Sequence, residues 1–125
     1  DDDRLWGGTG DDMLFGGDGN DSLRGDAGFD RLDGGAGDDD IWGNFNADVF
    51  VFANGHGHDR IMDFDALNIH EKLDMSGLDA FGSLADVQDA AIGIGDDLLL
   101  PTVPDSSILL VNVALGDLDE SDFLF

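Results

Sequence analysis

The chain has no cysteine, only five basic residues in 125, and no apolar run approaching the ~20 residues of a membrane helix. Without cysteine there are no disulfides, no thiolate chemistry and no cysteine zinc sites. A folded extracellular form must therefore find its staples elsewhere. Against the five bases stand 29 acids, 27 of them aspartate, for a net charge of -24. That charge repels nucleic acid and anionic lipid, and it strains any compact state by self-repulsion. Metal cations are the obvious counter-charge. The opening Asp1-Asp2-Asp3 carries neither the basic nor the apolar region of an export leader, so the chain is expected to be part of a longer protein. Its length allows one domain, or a short solenoid with a small cap, and is too small for most enzymes.

What is present is a fixed period. Four nonapeptides starting at Gly7, Gly16, Gly25 and Gly34 share glycine at places one, two and four, aspartate at place six and an aliphatic at place eight. Asp26 is the one departure. The aspartates are Asp12, Asp21, Asp30 and Asp39; the aliphatics are Leu14, Leu23, Leu32 and Ile41. Asp3 and Leu5 extend the register upstream. Gly43, Asn44, Asn46, Asp48 and Phe50 extend it downstream, and Gly55 to Ile61 reads as a degenerate sixth repeat whose Asp59 lies eleven residues after Asp48 rather than nine. Repetition at fixed period predicts architecture and chemistry together.

In an extended segment side chains alternate, so place eight points inward and places seven and nine outward. One unit is then half a coil, and equivalent places stack every eighteen residues, about 4.8 Å apart. Asp12 comes to lie above Asp30 and Asp48, and Asp21 above Asp39, a second column extended by Asp3 and Asp59. Stacked carboxylates repel unless a cation lies between them. Glycine-rich turns bring backbone carbonyls together without obstructing side chains. Carbonyl and carboxylate oxygens, six to eight at ~2.3 to 2.6 Å, suit calcium, whereas magnesium demands stricter geometry and soft metals find no ligand.

Fourteen of the nineteen glycines precede residue 58, which places the boundary between a roll at 1–52 and a cap at 53–125. In the second part short strands are expected at 61–64, 72–75, 98–100 and 107–113, the later ones bounded by Pro101, Pro104 and Gly116. A helix is expected to run from an Ser83 N-cap through Ala91.

The repeats resemble the repeats-in-toxin, or hemolysin-type, family, whose units form a parallel β-roll with calcium between successive turns. The resemblance implies an all-β fold with a small β-rich cap carrying one short helix. It also implies that the place-six aspartates are side-chain ligands. Carbonyls at Gly8, Gly10, Gly17, Gly19, Gly28, Gly35 and Gly37 would complete the shells. The runs 47–52, 57–64 and 72–76 are similar to the C-terminal segment of serralysin-like secreted bacterial proteins. The ending, Leu115 to Leu118 and then Asp122-Phe123-Leu124-Phe125, is similar to the terminus read by type I export machinery.

Other patterns are weaker. Composition alone fits a disordered acidic linker, but the regular place-eight aliphatic argues against that in the calcium-bound state. Without ions, the fourteen acids before residue 50 should keep this half unfolded. His56 and His58 have no third histidine nearby and read as turn residues. Asp18 to Ser22 lacks the glycine and closing glutamate of an EF-hand loop. No phosphate loop or nucleophile elbow occurs. Eighteen-residue stacking sets Trp6, Arg24 and Trp42 on one outer face, an arrangement that favours cation–π contacts and reads first as a stabilising ladder, second as a platform for a sugar or partner. The chain is expected to be a secreted, monomeric, non-catalytic calcium-binding module, with no nucleic-acid partner. The alternative is a calcium-stabilised carbohydrate-binding or surface-adhesion module; an upstream protease, lipase, toxin or adhesin is compatible with either.

Overall fold

A computed structural model describes residues 1–102 and 105–125. Each nonapeptide yields one strand and one turn: β1 (Arg4–Thr9), β2 (Met13–Asp18), β3 (Ser22–Ala27), β4 (Arg31–Ala36), β5 (Asp40–Phe45) and β6 (Val49–Ala53). Odd and even strands go to opposite sheets. Leu5, Leu23 and Ile41 align across parallel β1, β3 and β5, while Leu14, Leu32 and Phe50 align across β2, β4 and β6. The offset is eighteen residues, as the period requires.

Place eight faces the space between the sheets, where Leu23, Leu32, Ile41 and Phe50 are fully buried. One buried place-eight apolar side chain per nine ordered residues is a thin hydrophobic core. Ordering the rest of each unit must be offset by backbone hydrogen bonds and by whatever binds the turns.

The coil continues into the second half through β7 (His58–Ile61) and β8 (Lys72–Gly77). Asp40 now pairs with Arg60, twenty residues on, and a register irregularity between Val51 and Ala53 accompanies the change. The core widens beyond it, taking in Phe52, Met75, Leu98, Leu100, Ile108 and Leu110 as one continuous cluster. Three later strands, β9 (Ile92–Ile94), β10 (Asp97–Pro101) and β11 (Ser107–Leu110), close the first sheet in the order β1-β3-β5-β7-β11-β10-β9. The last strand, β12 (Phe123–Leu124), runs parallel to β8 at the edge of the second sheet, β12-β8-β6-β4-β2. The fold is a parallel β-roll with a β-rich cap.

Local differences from the sequence expectation have physical reasons. The strand expected at 61–64 lies earlier, at His58–Ile61, because Asp59 and Ile61 occupy places six and eight of their own coil; Met62 and Asp63 then bend, letting Phe64 pack edge-on against Phe50 at 6.1 Å. The strand expected at 107–113 stops at Leu110, and Asn112 follows with a φ of 58°. Pro104 lies outside the described residues. The helix α1 (Leu84–Ala90) starts where expected: Ser83 Oγ accepts from the Asp86 N–H, while Asp86 accepts from Gly82 N–H and Ser83 O–H. Ala91 is its C-cap. Strands β9 and β12 were not expected: β9 is three residues of half-exposed Ile-Gly-Ile joined to β10 by Gly95-Asp96, and β12 is two residues long.

Candidate metal centre

The turns stack the place-six aspartates into two columns joined by hydrogen bonds. In the first, Asp12 N–H donates to Asp30 Oδ1 at 2.8 Å and Asp30 N–H to Asp48 Oδ1 at 2.9 Å. In the second, Asp3 N–H donates to Asp21 Oδ1 at 2.6 Å, Asp21 N–H to Asp39 at 2.7 Å and Asp39 N–H to Asp59 at 3.1 Å. Oδ1 of Asp21, Asp30, Asp39, Asp48 and Asp59 is thus spent on holding the preceding coil. The other is not: Oδ2 of Asp12, Asp21, Asp30, Asp39 and Asp48 is buried without a hydrogen-bond partner. Five orphaned carboxylate oxygens in the two columns are costly unless something else satisfies them.

The glycines show what space those oxygens face. A Cβ built on Gly7 would lie 2.8 Å from Asp12 Oδ2 and 2.7 Å from the Gly25 carbonyl, so oxygens from two successive coils converge on one point. The same pairing recurs at Gly16, between Asp21 Oδ2 and the Gly34 carbonyl, and at Gly25, between Asp30 Oδ2 and the Gly43 carbonyl. None of these three place-one glycines has a positive φ; glycine is required there because any side chain would fill the cradle. Places two and four differ. Gly17, Gly19, Gly35 and Gly37 adopt positive φ, and Asp26, Asn44 and Asn46 adopt it in their stead at 73°, 72° and 82°. Short polar residues tolerate this region best, so the departures from glycine keep the turn.

Of the predicted carbonyls, Gly10 lies against Gly28, Gly17 against Gly35 and Gly19 against Gly37, all in the gap between successive turns. Gly8 and Gly10 sit at the open upstream end, with nothing near a Cβ there. The place-one carbonyls of Gly25, Gly34 and Gly43 were not predicted; the missed signal is the demand for glycine at place one. Among the described residues no three His, Asp or Glu side chains meet to hold a metal. A cradle of carbonyls with few carboxylates fits a hard cation of calcium size, and the orphaned oxygens are what such a cation satisfies.

Electrostatics agree. Burial pushes Asp39 up to about 6 against the hydrogen bond from Asp21 N–H, with Asp59 and Asp21 adding to the rise. Burial does the same to Asp48, also to about 6, Asp30 and Asp63 contributing. Asp30 is raised for the same first cause. Asp3, the upstream rung, is exposed. Asp59 is different: it is buried, its pKa is raised by burial, and its Oδ2 is bonded to His56 Nδ1 at 2.7 Å. Glu71, which sequence reasoning passed over, follows Asp48 in register, since Val49 pairs with Lys72. Burial first, then Asp48, Asp63 and Asp65, push its carboxyl up to about 8.

A second ladder runs outside the columns and was also unforeseen. Asp2, Asn20 and Asp38 accept from the backbone N–H of Asn20, Asp38 and His58 in turn, and Asp11 accepts from Phe29. On the outer sheet face Arg24 aligns with Trp6 and Trp42, its Cζ lying 4.6 Å from the Trp42 ring, while Trp6 is 62% exposed.

Comparisons with known proteins converge on the same geometry. A family model described as the RTX calcium-binding nonapeptide repeat (4 copies) matches residues 1–32, 15–50 and 24–61. The chain is similar to the AlgE6R3 subunit of the Azotobacter vinelandii mannuronan C5-epimerase: 28% identity and a TM-score of 0.72 over 99% of this chain and 78% of that one. The AlgE6R2 subunit of the same enzyme gives 28%, 0.67, 94% and 90%. The extracellular lipase LipA of Serratia marcescens gives 27% and 0.65, over 98% of this chain but 20% of the lipase, so the chain spans one fifth of that protein's length. No match was found among curated proteins. The stacked nonapeptides of residues 1–61 belong to the RTX calcium-binding nonapeptide repeat family, and they bind calcium.

Proposed function

We propose that the chain is a non-catalytic module at the C-terminal end of a larger secreted bacterial protein, folding when it meets calcium outside the cell. The observation that carries this reading is the set of five buried, unpartnered Oδ2 atoms. Asp12, Asp21, Asp30, Asp39 and Asp48 would hold the ions, Asp3 adding an upstream rung, with the carbonyls of Gly8, Gly10, Gly17, Gly19, Gly28, Gly35 and Gly37 and the place-one carbonyls completing the shells. Bound calcium supplies the positive charge that these buried carboxylates otherwise lack. The chain's own part is to orient them: Oδ1 of Asp21, Asp30, Asp39 and Asp48 is fixed by a backbone N–H of the preceding coil, and each place-one glycine keeps the cradle clear.

Residues 1–52 form the roll in this reading and 53–125 the cap, whose Asp122-Phe123-Leu124-Phe125 ending carries a type I export signal. The extracellular lipase among the similar structures supports secretion. Where calcium is scarce the acidic half stays unfolded and can be threaded through an exporter; where it is millimolar, sites of ~0.1 to 1 mM affinity fill. At tenfold saturation each site adds ~1.4 kcal/mol, so several coupled sites decide whether the fold forms. Circular dichroism during a calcium titration tests the switch: strand signal should rise with calcium and vanish with chelator. Strand content unchanged by chelation would sink it.

A carbohydrate-binding module is the second reading, favoured by the exposed Trp6 and the likeness to epimerase subunits. The net charge of -24 disfavours a polyanionic glycan, leaving neutral ones for a glycan-array screen.

A further inference from the structure

We propose that His56 ends the second metal column by standing where its next cation would be, so that Asp59 is a rung of that column without being a calcium ligand. The proposal rests on the columns holding calcium.

Residues 54–62 keep the frame of a repeat. Gly55 and Gly57 hold positive φ at places two and four, 84° and 93°, and Ile61 is buried at place eight. The His56 carbonyl accepts from Gly37 N–H at 3.1 Å, as Ala36 does from Gly19 and Ala27 from Gly10. Asp59 Oδ1 accepts from Asp39 N–H, as every earlier rung accepts from the one before it. The backbone is therefore ready for another ion.

The second oxygen breaks the pattern. Oδ2 is orphaned in Asp21 and Asp39, but in Asp59 it meets His56 Nδ1 at 2.7 Å. A carboxylate only accepts, so Nδ1–H donates. The other ring nitrogen, Nε2, lies 2.9 Å from Thr102 Oγ1, one residue past the end of β10, beyond β7 in the same sheet. One nitrogen thus bonds the ring's own turn and the other bonds the layer beyond, which is the bridging task of an ion between turns. The ring is 3% exposed and packs edge-on against Phe52 at 5.4 Å. Place three elsewhere holds Thr9, Asp18, Ala27, Ala36 and Phe45, none with a ring nitrogen to offer. The layer beyond supplies no glycine repeat; Thr102 N–H closes on the Ser106 carbonyl. A side chain that carries its own donor ends the calcium array and couples it to the cap, at whatever calcium concentration prevails.

The test is calcium stoichiometry of the full chain by titration calorimetry, with folding followed by circular dichroism. Asp39→Asn should lose one binding step or weaken it at least about tenfold, while Asp59→Asn should keep the unsubstituted chain's number of steps. His56→Ala leaves a buried carboxylate unpaired and should raise the calcium midpoint about threefold if some four coupled ions share the cost. Adding Asp59→Asn to His56→Ala should bring the midpoint back. Loss of a step in Asp59→Asn, as in Asp39→Asn, overturns the proposal. If His56→Ala does not fold at any calcium level, refolding of the double variant supports it and failure to refold overturns it. Absence of calcium binding by the unsubstituted chain would defeat the calcium-switch reading itself, a distinct result.

Discussion

Gly34→Ala isolates the carboxylate cradle from every other reason for glycine. Gly34 has no positive φ, so alanine costs no backbone strain there. Its added Cβ would overlap Asp39 Oδ2 and lie 2.7 Å from Asp39 Cγ and 2.9 Å from its Cβ, with all three nearest atoms on that side chain. Asp39 must rotate away. Rotation breaks the 2.7 Å hydrogen bond from Asp21 N–H to Asp39 Oδ1, a loss of ~1.5–3 kcal/mol for a bond to a charged group. It also removes a ligand; one ion lost at tenfold saturation costs ~1.4 kcal/mol. The sum, about 3–4 kcal/mol, is a large fraction of a small domain's stability. Two controls separate the causes. Gly8→Ala, with φ 98° and open space, should suffer strain alone, ~1–2 kcal/mol, and Gly93→Ala, with neither, should be near neutral. Urea unfolding at saturating calcium, with calorimetric counting of ions, measures all three. If Gly34→Ala unfolds no earlier than Gly8→Ala and binds a full complement of calcium, the cradle is not where the ion sits.

Two further outcomes are expected. Folded Asp39 and Asp48 titrate at about 6 and Glu71 at about 8, above their ordinary 3.8 and 4.5, so the folded form holds more protons than the unfolded one across that window. Calcium-free stability therefore falls as pH rises from about 4 to 8, the penalty being fully present above 8 and relieved below. In chelator, far-UV dichroism should show strand content growing as pH drops from 8 toward 5, and Glu71→Gln should shift that growth to higher pH; a flat titration would contradict the burial argument. On the outer face, Trp42→Ala removes the Arg24 contact and should cost about 0.5–1 kcal/mol more than Trp6→Ala in urea unfolding at saturating calcium; equal costs would mean that the stacking contributes nothing.

The roll was legible because its period is written in residue types that have few alternatives. Leucine or isoleucine at every eighth place, aspartate at every sixth and glycine between can satisfy inside, ion and turn in one arrangement, so eighteen-residue stacking followed without knowing any contact. The cap was less so. β9 and β12 are three and two residues long and carry no periodicity of their own; β9 pairs only with its neighbour β10 across the Gly95-Asp96 turn, and β12 only with β8, far back in the chain. His56 read as a turn residue, because its partners are Asp59, three residues on, and Thr102, forty-six residues on, and the second is brought near only when β11 lies beside β7. Glu71 was passed over for the same reason: its alignment after Asp48 follows from β6 pairing with β8 across an irregular, lengthened coil.

What the sequence determined by itself is the repeat geometry and its chemistry: which residues face inward, which carboxylates stack, and that a hard cation must separate them. These follow from nearest-neighbour stacking, where each unit meets only copies of itself. Tertiary structure decided the rest. It showed that Asp21, Asp30, Asp39 and Asp48 each give one oxygen to a backbone N–H and leave one bare, that place-one glycine is demanded by space rather than by φ, and that Asp59, the last carboxylate of the second column, is bonded to a histidine. Each of those depends on how a turn meets a different layer, a relation that distance along the chain does not encode.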